Sequence, residues 1–200
     1  MANRNLYLVR HATPDFPDGV KLCIGSTDID IAEKGIEESE RLREFFKEKE
    51  ISHIFSSPLA RCVHTAEIIA DGRIEVEIDK GLTEIFMGSW EGIPLKNIRK
   101  ELGDEPADGE PRLKALDRFE KSLNQIMKKT VGDVLCVAHA GVNCAFIAKN
   151  TGHDIRTSRN IQQGYGCYNR FEFITEESTK DQFRCIEIGI IPEAFDEKII

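Results

Sequence analysis

Arg10 and His11 stand side by side directly after the apolar run Leu6-Tyr7-Leu8-Val9. A guanidinium forks onto the oxygens of an oxyanion, and an imidazole is a nucleophile or a base near neutral pH. Arg61 follows in Ser56-Ser57-Pro58-Leu59-Ala60-Arg61, and His139 closes a second apolar run, Val134 to Ala138. In open α/β sheets the carboxyl ends of strands face the ligand crevice, so these side chains are presented to a ligand rather than packed away. Arg61 falls in the first turn of a predicted helix, where free N–H groups and the helix dipole add to its attraction for phosphate. Taken singly, Arg61 also fits a solvated helix residue and His139 a satisfied core histidine. Their convergence on strand ends is what makes a site.

The elements that must position them alternate strand and helix, the pattern of an α/β protein with a mostly parallel sheet. Strands are predicted at Asn5–Arg10, His53–Ser56, Ile74–Ile78, Val134–Ala138, Cys167–Ile174 and Phe183–Ile188, the last two joined by a polar turn over Thr175–Asp181. Helices are predicted from about Glu33 to Glu50 with a stripe of Ile36, Leu42, Phe45 and Phe46, and from Pro58 to Ala70. A further helix carries Leu113, Leu116, Phe119, Leu123 and Ile126, and another runs from about Gly141 to Asn150. The Gly- and Pro-bearing stretch 81–111 reads as an excursion covering the site. No repeat or linker divides the 200 residues, and one domain spanning 1–200 is expected.

The formal net charge of -8 argues against nucleic-acid and anionic-membrane partners, so an anionic ligand must be drawn by a local pocket. No apolar stretch reaches the roughly 18 residues of a membrane span, and a cytoplasmic location is expected. The six cysteines form no C-x-x-C pair and sit mostly in apolar runs, which reads as buried thiols in a reducing compartment. Cys62-Val63-His64 places two ligand types together without the third and fourth that a zinc site needs, so no metal is expected.

These segments resemble the histidine phosphatase superfamily, the phosphoglycerate mutase-like group, with its R-H-G/A, S-S-P-L-x-R and V-x-H-x-G motifs. Leu82-Thr83-Glu84-Ile85-Phe86-Met87-Gly88-Ser89-Trp90-Glu91-Gly92 fits a fourth, L-x-E-x-x-x-G-x-W-E-G. The resemblance runs to about residue 189 and implies a three-layer sandwich. It also implies that His11 takes the phosphoryl group as phosphohistidine, that Arg10, Arg61 and His139 hold its oxygens, and that Glu84 moves the proton. Phosphoryl transfer is catalysed by positioning and charge, so such a cationic cage works without metal or cofactor. Further substrate contacts are expected from Thr13, Gly25, Ser26, Ala140 and Gly141. Thr13 or Ser26 would stand in for a hydroxyl that relatives often carry where this chain has Ile24. Glu91 is expected to shape the Trp90 turn, His64 to border the pocket and His53 to begin a strand.

Phosphomonoesterase and cofactor-dependent phosphoglycerate mutase share this machinery. The short interval from Glu84 to His139, with only Arg99, Arg112 and Arg118 in it, favours the esterase. The Gly88–Gly92 and Asp108–Pro111 segments resemble small α-ribazole phosphatase-type members, making α-ribazole 5'-phosphate a candidate among small phosphorylated metabolites. A non-catalytic phospho-ligand binding protein is the alternative of another class. No Cys has an Arg six positions later and no G-x-x-x-x-G-K-S/T loop occurs, which removes cysteine phosphatases and P-loop kinases. Ala12 and Ala140 stand where Gly is common, which is acceptable if their φ is negative.

Overall fold

The computed structural model describes residues 4–98, 105–175 and 182–193. Six strands, β1 (Arg4–Arg10), β2 (Ile51–Ser56), β3 (Val76–Ile78), β4 (Asp133–Ala138), β5 (Tyr168–Ile174) and β6 (Gln182–Ile190), form one sheet in the order β3-β2-β4-β1-β5-β6. The pairs β3/β2, β2/β4 and β4/β1 are parallel, while β1/β5 and β5/β6 are antiparallel. β5 alone therefore runs against the others. Four helices, α1 (Glu33–Lys47), α2 (Ala60–Ala70), α3 (Arg112–Lys129) and α4 (Ala140–Thr151), complete the alternation.

Period-two alternation along β1 decides the layers. Tyr7 and Val9 join Leu42, Phe46, Cys62 and Ile69 in one core, beneath α1 and α2. Leu6 and Leu8 join Phe119, Leu123, Val142 and Phe146 in the other, beneath α3 and α4. The central strands β1 and β4 are buried on both faces, which is why both read as continuous apolar runs. Among the described residues no helix is long and apolar enough to cross a membrane.

Register sets the site. Val9 lies beside Val137 and Ser56 also lies beside Val137, so β1, β4 and β2 stop at one level. His11 and Ser57 continue that level by donating their backbone N–H groups to the carbonyls of Ala138 and Val137.

Several boundaries differ from the sequence expectations. Pro58 lies before α2 rather than in its first turn, because Leu59 is still extended (φ -73, ψ 136) as the N-cap. Ile36 is 38% exposed and Leu113 61% exposed, so neither belongs to its stripe. In α1 the inward face instead carries Gly35, Glu38, Ser39, Leu42 and Phe46, with Glu38 turned in by hydrogen bonds from Thr13. The stretch 81–111 forms short 3-10 turns at Lys80–Leu82, Gly88–Trp90 and Leu95–Asn97 among its described residues. The turn expected over 175–181 and Arg99 fall outside the described residues, apart from Thr175.

Phe146 is fully buried, its ring 4.9 Å from that of Phe171 and 5.2 Å from that of Phe183. Phe146→Ala should cost about 3–5 kcal/mol, seen as a lower urea midpoint at unchanged m-value. A loss under 1 kcal/mol would show that the core beneath α3 and α4 is not packed as described.

Candidate active site

His11, the residue after β1, is 4% exposed. Its Nδ1 lies 2.8 Å from the Ala12 carbonyl oxygen. A carbonyl can only accept, so Nδ1 carries the proton and Nε2 keeps the lone pair. Burial, followed by the Arg10 and Arg61 charges, holds the ring well below its ordinary value of 6.5, against a smaller opposing pull from the Ala12 bond. The resting imidazole is neutral.

Arg10 is gripped from one side. Its Nη1 donates to the Gln163 carbonyl at 2.5 Å, and its guanidinium lies 3.7 Å over the Tyr165 ring. The same ring stands 5.7 Å from that of His11. Backbone bonds tie this turn to the strand end: Arg10 N–H donates to Cys167 and Gly166 N–H to His11. Gly166 adopts φ +63, the left-handed region that glycine enters without strain.

Arg61 is fully buried, and its Nη1 and Nη2 donate to the carbonyls of Thr27 and Gly25, each at 2.9 Å. Its Nε and the Nε of Arg10 are buried donors without a partner among the described residues. Such orphaned charged donors are costly unless an anion meets them. His139, the N-cap residue of α4, is also fully buried, with Nε2 2.8 Å from Ser57 Oγ and its ring 5.2 Å from that of His11. Burial, then Arg61, His11 and Arg10, lowers its pKa well below 6.5.

Glu84 faces this cluster from the excursion. Its carboxylate accepts the amide N–H groups of Gly141 and Val142, at 2.9 and 3.1 Å, and that of Ile85 at 2.9 Å. The amino end of α4 thus fixes the carboxylate. A Cβ on Gly141 would come within 2.5 Å of Glu84 Oε1, so a larger residue there would displace the carboxylate. Between these groups opens a cavity of about 380 Å³, whose wall includes Arg10, His11, Glu84, Ala140, Gly141 and Tyr165. Arg61 and His139, both fully buried, are not part of that wall.

The remaining expected contacts scatter. Thr13 turns away: its amide and hydroxyl donate to Glu38. Ser26 gives its amide to Glu91 and is exposed. Gly25 donates its amide to Glu91, and a Cβ there would meet the Ile85 carbonyl at 2.2 Å. His64 pairs with Asp30 at 3.0 Å on the surface, and His53 lies within β2. Ala12 and Ala140 both avoid positive φ.

Glu91 does more than shape its own turn. Its carboxylate accepts the amides of Gly25, Ser26, Thr27 and Met87 and the Thr27 hydroxyl. Arg61 takes the carbonyls of the same loop, so residues 24–27 are held by donors on one side and an acceptor on the other. Sequence reasoning missed this clamp, and it missed Tyr165. The only signal was Gly164-Tyr165-Gly166, a turn pattern ahead of a strand.

Burial pushes the Glu91 carboxyl up, but the bonds from Thr27, Met87 and Ser26 outweigh it and the net shift is down. Its contribution to stability is present above the ordinary carboxyl range near 4.3 and is lost as pH falls through the depressed folded value. Glu91→Gln should therefore lower the Tm at pH 7 and lose most of that deficit in acid; a pH-independent deficit would contradict the clamp. For the histidines, ring ¹⁵N NMR of the substrate-free protein should show His11 and His139 neutral at pH 6.5. A charging step at that pH would contradict the burial and cation effects.

The comparisons agree with this geometry. The family model for the histidine phosphatase superfamily (branch 1) matches residues 6–185. Phosphoglycerate mutase-like protein 4 of Arabidopsis thaliana is 32% identical over 154 residues, 68% of this chain and 66% of its own length. Adenosylcobalamin/alpha-ribazole phosphatase of Escherichia coli is 24% identical over 200 residues, 92% of this chain and 98% of its own. The solved structure of mycobacterial hydrolase 2 superposes with a TM-score of 0.86 over 97% of this chain and 94% of that one, at 19% identity, which speaks for the shared fold. With the family matched from β1 into β6 and its histidines brought together at the strand ends, the chain is an enzyme of the histidine phosphatase superfamily, branch 1.

Proposed function

We propose that the protein is a metal-independent phosphomonoesterase that works through a phosphohistidine on His11. The observation that carries this reading is a buried imidazole with its Nδ1 on a carbonyl oxygen and the charges of two guanidinium groups acting on it, each guanidinium having an Nε unpartnered among the described residues. Arg10 and Arg61 bring their charge to the phosphoryl oxygens, while His139, behind His11, completes the polar floor. His11 Nε2 attacks phosphorus, the P–O ester bond breaks, and the leaving alkoxide takes a proton from Glu84. Water then attacks the phosphohistidine, Glu84 takes its proton, and the P–N bond breaks to release inorganic phosphate and neutral His11. Preorganised charge supplies the stabilisation that such a transition state needs.

Hydrolysis is preferred to transfer onto a second phosphoglycerate because the arginines beside the site are engaged. Arg118 donates to the carbonyls of Gly81 and Thr83 and pairs with Glu110 at 2.7 Å. Arg112 pairs with Glu105 at 3.0 Å. The Escherichia coli relative, matched over nearly its whole length, supports α-ribazole 5'-phosphate as a candidate among small phosphorylated metabolites.

With p-nitrophenyl phosphate and a chelator, turnover should persist in the wild type and fall by on the order of 10³-fold or more in His11→Ala. Rapid mixing should trap an acid-labile, alkali-stable phosphoryl group on the wild type alone. Glu84→Gln with an alkyl phosphate should lose about 10²-fold in kcat. Activity that vanishes with the chelator, or survives in His11→Ala, overturns the mechanism.

A further inference from the structure

The cavity is far larger than a phosphoryl group requires, and its two sides differ in chemistry. Arg10, His11 and Glu84 form the polar end. The rest of the wall is dominated by Leu22, Ile24, Ile85, Met87, Leu95 and Ile161. These six come from three stretches that meet only in the fold: the loop after β1, the excursion, and the segment before β5. An isolated β-bridge between Leu22 and Pro94, and the bond from Leu95 N–H to the Lys21 carbonyl, hold the first two together. The Glu91 carboxylate links Met87 to the loop that follows Ile24. The wall is therefore built, not a chance collapse of loose side chains.

Its apolar surface stays open. Leu95 is 48% exposed, although Ile85, beside the polar end, is nearly fully buried. Pockets that bind organic ligands combine an apolar lining with a few convergent polar groups, and here the phosphoryl end supplies Arg10, His11 and Glu84. Of the charged residues elsewhere in the wall, Arg112 is already matched by Glu105. Arg159, Gln162 and Gln163 also contribute to the lining, so the wall carries polar groups beside its aliphatic ones.

We infer that the cavity is a leaving-group subsite for an apolar, ring-sized moiety, so that the preferred substrates are phosphomonoesters of aryl or bulky alkyl alcohols rather than of small polyols or hydroxy acids. This rests on the phosphomonoesterase reading and narrows its substrate class. The aliphatic wall removes the leaving group's carbon surface from water, while the cationic end takes the phosphoryl oxygens. A glycerol or sugar hydroxyl laid against the same side chains would lose its water partners and find few in return.

Phosphonates test the subsite without requiring turnover, because their C–P bond is not hydrolysed. Titration calorimetry should find 2-naphthylmethylphosphonate bound about 30-fold more tightly than methylphosphonate, the gain expected from burying roughly 80 Å² of apolar surface. Leu95→Ser should lower that ratio by about threefold or more, and circular dichroism would confirm that the variant is folded. Equal affinities, or tighter binding of 2-carboxyethylphosphonate than of the naphthyl compound, would overturn the inference and assign the polar groups of the wall to a second anion. In a parallel hydrolysis assay, cyclohexylmethyl phosphate should exceed glycerol 1-phosphate in kcat/KM by about tenfold, these alkyl esters having leaving groups of similar kind. Hydrolysis without that preference overturns the subsite and leaves the esterase reading standing. Tight naphthyl binding without hydrolysis of any ester overturns the esterase reading and, with it, the substrate class while leaving an apolar phospho-ligand pocket.

Discussion

A guanidinium buried to zero exposure is the constraint around which this molecule is organised. Taking the Arg61 charge out of water is expensive unless its donors are met. The structure meets those of the two terminal nitrogens with carbonyls instead of a direct carboxylate pair, Thr27, Gly25 and Ile24 accepting, and leaves Nε without a partner among the described residues. Glu84, Asp28 and Glu91 add favourable charge from farther off. A direct ion pair would have cancelled the positive field felt at His11. Carbonyl dipoles stabilise the cation and leave much of that field in place, which is one cause of the neutral imidazole.

That solution moves the burden onto the loop. Backbone carbonyls aimed at Arg61 turn the neighbouring amides away from it, and those amides need an acceptor of their own. Glu91 is that acceptor, placed 64 to 66 residues downstream of the amides it serves. Because Glu91 also takes the Met87 amide, the segment carrying Glu84 is anchored by the same carboxylate that holds the Arg61 loop. The cation beside His11 and the carboxylate proposed to move the proton are thus coupled through the Glu91 carboxylate.

Much of this was legible along the chain because it lies in single segments. Leu6 to Val9 and Val134 to Ala138 read as buried strands, and a parallel sheet aligns the ends of such strands, so Arg10, His11 and His139 could be brought together on paper. Partners that depend on which strand is inserted beside which were not legible. Tyr165 meets Arg10 only because β5 runs antiparallel next to β1, which returns the turn before β5 to the end of β1. Thr13 failed as an expected contact for a local reason: Glu38 sits on the inward face of α1, within reach of both its amide and its hydroxyl. Periodicity placed Ile36 in the core, yet the inward face of α1 runs through Gly35, Glu38, Ser39, Leu42 and Phe46 and leaves Ile36 exposed.

The division of labour between sheet and loops bears on how specificity can arise. Arg10, His11 and His139 are fixed by the register of β1 and β4, and a change there would disturb both cores at once. On the proposed reading they contact what every phosphomonoester has in common, and so bind the class without choosing within it. Uniform grip on the phosphoryl group in substrate and product alike gives affinity and little discrimination. Choice must come from the wall, and residues such as Leu22, Met87, Leu95 and Ile161 lie on connections rather than strands. Surface connections tolerate substitution that a sheet does not. A side chain there can alter the leaving group accepted while the cage keeps its geometry, provided Glu91 still holds the two loops in register.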